Sequence, residues 1–322
     1  MRDSSSPPRP PVRRLLVAFG ALCAASSALT AQERSESLQR QVRGGHRFVH
    51  NSIIPSPVVA TFVRSSISIG GSEELDSAIF DIGGEPLVVL TGDLLFAGMD
   101  FEYQHAVKSW IAVRARLRMV ARLGDEVGSL LSSGVTASTG FELGWLVKLV
   151  RTERGMLSAT LDVSNNTTTI VDILGFVQDV VDTVPAELVR KTPSVRGGGG
   201  LRFAYGVSPL FGITAFASGG YGESIDRRAD NEFFWRVGVS VDFDLRSGTG
   251  VPIGFMLGGL FDTFPEGGED IASNVWDGVF RLEYTGRDDL GLGLAFSRER
   301  LATESFGSLD ISSLAVDLRY FF

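Results

Sequence analysis

The residues best suited to acid–base or metal chemistry are scarce in this sequence, which has three histidines and one cysteine. His46 and His50 are four positions apart, so on a helix they would share one face and could share a metal ion. No cysteine or carboxylate lies between or beside them, and Arg43 and Arg47 would repel a cation. We therefore expect no metal and no cofactor here, only two histidines in a solvated segment.

Catalytic motifs are equally weak. The third histidine, His105, is predicted at a strand end beside a short turn, a position that does not favour a catalytic role. No serine stands in a nucleophile elbow. The run Gly197–Gly200 lacks the following Lys and Ser or Thr of a phosphate loop, so we interpret it as a place where a strand bends or packs closely. The sequence predicts no catalytic residues and a protein that is not an enzyme.

Charged residues instead form rows at every second position. One segment places Arg114, Arg116, Arg118 and Arg122 on one face and apolar residues on the other. If such faces line a lumen, charges of both signs meet there, and two interpretations stay open: a network of ion pairs, or a basic track of these four arginines for anionic solutes. The candidate lumen residues are Arg114, Arg116, Arg118, Arg122, Glu102, Glu142, Arg236, Asp242, Arg281 and Glu283.

The elements that carry these rows read as long β-strands. Apolar residues recur with period two in segment after segment from residue 99 to the last residue, which is the strand period. The segments run roughly 9–14 residues, longer than the usual 5–6 of globular strands. Their apolar faces carry aromatic residues near the ends, as transmembrane barrels do. A soluble sandwich also alternates, but it does not explain the length or the aromatic ends.

The segment count predicts the architecture. Eleven segments are clear, and a weaker one at Val58–Ile69 makes twelve; ten or fourteen remain possible. Short connections alternate with long ones, and in lipid a sheet must close so that no edge is left unpaired. The predicted fold class is all-β: a transmembrane, antiparallel, up-and-down β-barrel over residues 57–322 with every long connection on one side.

The start of the chain predicts export. Arg2, Arg9, Arg13 and Arg14 precede an apolar run, Leu15–Leu29, and a small-residue exit at Ala31. This pattern is typical of a secretory signal peptide over residues 1–31. A membrane anchor is the alternative, but the run is short of the roughly 20 residues that a spanning helix needs. The formal net charge of −8 argues against a nucleic-acid partner.

The polar stretch 32–56 follows the signal peptide. It contains Arg34, Arg40, Arg43 and Arg47 besides the two histidines. We expect a short periplasmic lead-in, with an inward-folded N-terminal plug as the alternative.

One segment departs from period two. Between Asn165 and Lys191 the apolar residues lie at helical spacing, opposed by Asp172, Asp179 and Asp182 and ended by Pro185. This predicts a helical insertion at about 166–190 in an extracellular loop. It could cap the loops, plug the lumen through its aspartates, or lie on the outer leaflet. The apolar stretch Leu87–Leu90 in a long loop at Gly71–Thr91 could pack with it.

The end of the chain resembles a known assembly signal. Residues Leu314, Val316, Leu318, Tyr320 and Phe322 alternate up to a terminal aromatic. This strand resembles the C-terminal β-signal of Gram-negative outer-membrane proteins, in which Leu318, Tyr320 and Phe322 occupy the last apolar positions. The resemblance implies a cell outer-membrane location, insertion by the barrel-assembly machinery, and contact with outer-membrane lipid and lipopolysaccharide. It identifies no subfamily.

Together these observations predict an outer-membrane channel or pore for a small solute whose identity the sequence does not give. Two alternatives stay open: a non-conducting barrel with a structural or surface-interaction role, and a barrel for uptake of hydrophobic compounds. A twelve-stranded barrel lies between filled small barrels and open porins, so size does not decide between them.

Overall fold

A computed structural model describes residues 42–82, 85–124, 135–171, 189–223, 231–263, 274–303 and 307–322. The described chain forms a small N-terminal hairpin and a closed barrel of twelve strands. The hairpin strands are β1 (Val42–Arg43) and β2 (His46–Arg47). The barrel strands are β3 (Phe62–Ile82), β4 (Glu85–Lys108), β5 (Ile111–Gly124), β6 (Val135–Arg151), β7 (Gly155–Val171), β8 (Val189–Gly206), β9 (Phe211–Gly222), β10 (Glu232–Asp244), β11 (Ile253–Asp262), β12 (Asn274–Arg287), β13 (Leu290–Thr303) and β14 (Gly307–Phe321).

Each barrel strand pairs antiparallel with its neighbours in the chain, and the last strand closes the ring. Strand β14 pairs with β13 on one side and with β3 on the other, with Arg319 opposite Arg64 across the closure. The predicted all-β, twelve-stranded, up-and-down barrel is therefore confirmed.

The outer face of the barrel is apolar, as the period-two pattern predicts. Large hydrophobic side chains stand exposed on nearly every strand, for example Ile67, Leu161, Val239 and Leu292. Aromatic residues gather near both ends of the strands. Trp235, Phe261 and Trp276 touch one another in a row at one end, and Tyr320 stacks on Phe322 at the other. An apolar band between two aromatic belts is the outside of a transmembrane β-barrel.

The two ends of the barrel differ in their connections. At the turn end, β4–β5 and β12–β13 are joined by two residues each, and α1 (Leu245–Thr249) lies between β10 and β11. Asp244 caps α1 by accepting from the backbone N–H of Arg246, and Gly250 ends it in the left-handed region at φ 75°. The longest connections lie at the other end, the loop end, although β3 and β4 are joined there by two residues. Within the described residues no helix is long and apolar enough to cross a membrane.

Two predicted local features differ in the structure. The ends of the helix predicted between Asn165 and Lys191 are strands, because β7 continues to Val171 and β8 already starts at Val189. The rest of that segment, with Asp172, Asp179 and Asp182, lies outside the described residues. The loop predicted at Gly71–Thr91 is a strand pair in which β3 and β4 extend past the ring, so Leu87–Leu90 belongs to β4. Interstrand hydrogen bonds override local periodicity in both places.

The first barrel strand starts later than the sequence suggests. It begins at Phe62, and residues 58–61 precede it without regular structure. Residues 42–61, called the inner segment below, precede the first barrel strand and are largely buried. The signal peptide predicted at 1–31 lies outside the described residues.

Candidate functional site

The inner segment lies inside the barrel at the turn end, and polar contacts hold its hairpin to the wall. The Nε2 atom of His46 is 2.6 Å from Asp242 Oδ1, with both side chains fully buried. The same carboxylate oxygen accepts the backbone N–H of Val49 at 3.3 Å. Arg47 donates to the backbone oxygen of Thr285 at 3.0 Å. The lead-in expected at 32–56 therefore does not describe residues 42–56, which fold inward.

The second half of the segment is anchored through its own backbone. Gln104 donates from Nε2 to the carbonyl oxygens of Val58 and Ala60, at 3.0 and 2.9 Å. Ser158 Oγ donates to the carbonyl oxygen of Pro57 at 2.7 Å. A segment without regular structure needs such partners because its buried backbone groups have no ladder of their own.

Apolar packing completes the contact. Ile54 packs on Phe216 and Leu260, and Val49 packs on Met256 and Val279. Glycines of the wall provide the space. A Cβ atom at Gly254 would come within 2.7 Å of Val49 Cγ2, and one at Gly258 within 2.6 Å of Ile54 Cδ1. A Cβ atom at Gly212 would overlap the imidazole ring of His46, and one at Gly206 would overlap the carbonyl oxygen of Arg43. The wall is shaped to receive this segment.

Around the segment, charged side chains of neighbouring strands form an ion-pair network. Arg64 bonds Glu102 at 3.0 Å, and Arg116 bonds Asp100 at 2.9 Å. Arg114 contacts Glu142 and donates to Asp162 at 2.8 Å. On the other side of the lumen, Arg281 donates to Glu283 at 2.8 Å and to Asp317 at 2.6 Å. Taking these charges out of water is compensated by the pairing, so the network locks strands together rather than exposing net charge.

Two cavities lined by described residues lie in the lumen beyond the segment. The larger has a volume of about 310 Å³ and is lined by charged residues of several strands, among them Asp100, Arg118, Asp262, Asp277 and Glu299. The smaller, of about 120 Å³, is lined by five arginines and two carboxylates together with Phe216, Phe234 and the glycines 197–199. Both are lined by Ser52 and Ile53 of the inner segment and by Arg116 and Arg236 of the wall. They form one polar space that the tip of the segment borders.

The structure places all ten candidate lumen residues on the inner face. Those that bond partners of opposite charge are Arg114, Arg116, Glu102, Glu142, Arg236, Arg281 and Glu283. Asp242 bonds the imidazole ring of His46. Arg122 donates to Thr136 at 3.0 Å. Arg118 lines the larger cavity. The four arginines predicted as a track thus have different surroundings, and the ion-pair network describes Arg114 and Arg116 better than the track does.

The histidines are placed as follows. His46 and His50 point to different partners, and the described residues contain no group of three or more metal-ligating side chains in reach of one ion. Burial lowers the pKa of His50 well below its usual value, and the nearby charges of Arg319, Arg47 and Arg281 lower it further. His105 lies beside the ring of Tyr103 on the outer surface. Gly197–Gly200 is part of β8, and Gly197, Gly198 and Gly199 border the smaller cavity.

Sequence reasoning missed two kinds of residue. The anchors of the inner segment, Gln104 and Ser158, look like ordinary inner-face polar residues until the segment is in place. For Asp277 and Glu299, the alternation along the two strands does not show that they have no ion pair among the described residues. The signal that could have found the anchors is the cluster Phe48–Asn51 and Ile53–Ile54, which is too apolar for a solvated lead-in.

No protein-family model matches this chain, and no curated protein matches its sequence. Among solved structures, an outer-membrane channel from Pseudomonas putida F1 aligns with a TM-score of 0.52 at 9% identity, over 86% of this chain and all of that one. The translocator domain of the autotransporter NalP from Neisseria meningitidis aligns with a TM-score of 0.47 at 9% identity, over 96% and 98% of the two chains. A FadL homologue from Pseudomonas aeruginosa aligns with a TM-score of 0.46 at 7% identity, over 89% and 98%. The similarity to the P. putida channel is one of fold.

Proposed function

We propose that the protein is an outer-membrane channel for a small solute, narrowed at its turn end by the inner segment. The observation that carries the proposal is the polar space of two adjoining cavities inside a closed barrel whose outer face is apolar. A barrel with only a structural role could fill its whole lumen with paired side chains, as this barrel does at the turn end. Here the described residues enclose a polar space in the lumen beyond Ile53.

The turn end lies on the periplasmic side in this proposal, because outer-membrane barrels have short periplasmic turns and longer external loops. A solute would enter between the loops, pass the charged cavity and meet the inner segment last. Passage then requires the segment to shift, or to leave a path between its tip and the glycine-lined wall at β8. The P. putida protein whose fold this barrel shares is an outer-membrane channel, which agrees with transport rather than catalysis.

One observation favours the alternative, a non-conducting barrel. The inner segment contacts strands on several sides of the lumen through side chains, backbone and apolar packing. If these contacts never release, the barrel has a structural or surface role, and the open space is a vestibule. No corresponding observation favours uptake of hydrophobic compounds, because the described cavities in the lumen are lined by charged residues.

The deciding experiment is planar-bilayer conductance of the refolded mature protein and of a variant lacking residues 32–56. A variant lacking only residues 32–41 is the matched control, since it keeps the inner segment. Steady conductance of the intact protein supports an open channel. Conductance that appears only in the longer deletion supports a channel closed by its segment. If none of the three proteins conducts, although circular dichroism shows that each has its β-sheet structure, the proposal is overturned in favour of the non-conducting barrel.

Assembly belongs to the same proposal. The exported chain would be inserted by the barrel-assembly machinery through Leu318, Tyr320 and Phe322 of the final strand, and its apolar band would contact outer-membrane lipid and lipopolysaccharide. The positions support it, because β14 is the strand that closes the ring and Leu318 and Phe322 are exposed on the outer face. Deletion of Phe322 should lower the amount of folded barrel in the outer membrane. Removal of Ser308, on the same strand but outside the signal, tests whether any shortening does so.

A further inference from the structure

Three charged side chains of the larger cavity differ from all the others that line it. Arg116 and Arg236 are paired with Asp100 and Asp262. Arg118 of β5, Asp277 of β12 and Glu299 of β13 have neither a hydrogen bond nor an ion pair to any residue that the structure describes. The Oδ1 atom of Asp277 is buried and has no hydrogen-bond partner. A buried polar atom without a partner costs free energy, so a ligand that bonds Asp277 Oδ1 would be stabilised in this cavity.

The two carboxylates are direct neighbours. Asp277 and Glu299 stand opposite each other in the antiparallel pairing of β12 and β13, and both face the cavity. Like charges directly opposite each other on neighbouring strands destabilise a sheet. A cationic group between the two carboxylates would remove this repulsion and satisfy both.

Arg118, the arginine of this cavity that has no ion pair among the described residues, borders it from another wall. Arg118 is four strands away from Glu299 around the ring, yet both line this cavity. A guanidinium presents two parallel N–H groups that match a carboxylate. The cavity therefore offers an anion-binding group on one side and a cation-binding pair on another.

We propose that this cavity binds a small zwitterion, with its carboxylate on Arg118 and its ammonium group between Asp277 and Glu299. The inference deepens the proposed function, because it names the class of solute for that channel. A simple anion would satisfy only Arg118, and a simple cation would leave Arg118 without a partner. The volume of about 310 Å³ is ample for a molecule of amino-acid size, since a cavity of about 150 Å³ holds benzene.

The test is direct binding to the intact refolded protein in detergent, measured by saturation-transfer NMR. The probes are glycine, acetate and methylammonium, which carry both charges, only the negative and only the positive charge. We expect glycine to bind about fivefold more tightly than either single-charge analogue, the size of one solvent-accessible charge pair. Equal binding of the three probes, or no binding of glycine, would overturn the proposal.

Variants locate the site. Arg118→Gln and Glu299→Gln should each reduce glycine binding about fivefold, to the level of the single-charge analogues. Arg298→Gln is the matched control, because Arg298 is on the same strand as Glu299 but pairs with the exposed Asp310. Glycine binding that is insensitive to Arg118→Gln and Glu299→Gln, or equally sensitive to Arg298→Gln, contradicts the assignment. Arg118→Lys keeps the charge but loses the planar fork, so it should fall between the parent and Arg118→Gln.

A flux measurement distinguishes failure of the zwitterion site from failure of the channel proposal. Uptake of glycerol by liposomes containing the protein reports an open path whatever the solute charge. Glycerol flux without glycine binding leaves the channel intact and overturns the zwitterion site. Glycine binding without any flux, even after removal of residues 32–56, supports the site and overturns the channel.

Discussion

The two halves of the lumen differ in whether their polar and charged side chains have partners within the protein. At the turn end, polar side chains bond other protein groups, as Arg281 does with two carboxylates and His46 with Asp242. Beyond Ile53, Asp277 and Glu299 face a cavity without a described partner. Both halves belong to the same strands, so the difference comes from which residues alternate along them and from where the inner segment stops.

This difference assigns stability to the half of the lumen at the turn end and binding to the half beyond Ile53. The filled half gains from pairing, and each of its buried charges becomes costly to remove. The open half forgoes that stabilisation and keeps charges for a mobile partner. Binding sites are commonly regions where stability is given up in this way.

The largest expected effect tests the filled half. Arg281→Met should lower the free energy of unfolding by about 3–5 kcal/mol, because it leaves Glu283 and Asp317 buried without their common cation. The matched variant Arg118→Met removes an arginine that has no ion pair among the described residues, and its effect should stay below about 1 kcal/mol. Urea unfolding of both variants in the same vesicles checks the comparison. Equal losses would show that the two halves are not energetically different.

The next effect is release of the inner segment. Gly212→Ala places a Cβ atom on the imidazole ring of His46, and overpacking of this kind costs about 1–3 kcal/mol. Gly219→Ala is the control on the same strand, since its Cβ would meet only Phe234 O at 3.6 Å. A cysteine at the buried position Val49 reports release, because Cys23 precedes the proposed mature chain. Its modification by a charged thiol reagent should be at least about tenfold faster with Gly212→Ala, which corresponds to ~1.4 kcal/mol. Equal rates for the two glycine variants would contradict docking of His46 against β9.

The sequence was sufficient for the wall of the barrel and for which side chains face inward. The period of two determines both the strands and the direction of their side chains. A register shift by one residue would point the side chains of Arg114, Arg116 and Arg118 towards the lipid. The same rule predicts the lumen face of Asp277 and Glu299 but not their missing partners, because pairing depends on register across strands far apart in the chain.

The inner segment shows the limit of that reasoning. Its residues follow no period, and its fit depends on Gly212, Gly254 and Gly258, which lie roughly two hundred residues further along the chain. The sequence leaves open whether these glycines bend a strand or make room for a neighbour. The same limit explains the error at Ile170 and Val171, where helical spacing yielded to pairing with β6.

A pH effect of intermediate size sharpens the comparison. The pKa of His50 is lowered in the folded protein by burial and by the charges of Arg319, Arg47 and Arg281. The unfolded chain therefore binds a proton first, and stability falls as the pH drops below about 6.5, the ordinary histidine pKa. We expect a loss of about 1 kcal/mol between pH 6.5 and 5.5 that is absent in His50→Gln. Unfolding curves at the two pH values check this, and an identical loss in His50→Gln would assign the effect to other groups.

The smallest effect has the opposite sign and tests the open half. Asp277→Asn removes one of two facing carboxylates, so it should raise the free energy of unfolding by about 0.2–1 kcal/mol. Asp262→Asn, in the same cavity, should instead lower it, because Asp262 is paired with Arg236 at 2.8 Å. The gain in Asp277→Asn should shrink at about 1 M salt, which screens the repulsion to about 3 Å. A loss of stability in Asp277→Asn would mean that the carboxylate already has a partner in the folded protein. A gain together with weaker glycine binding would show that the repulsion between Asp277 and Glu299 is kept for the solute.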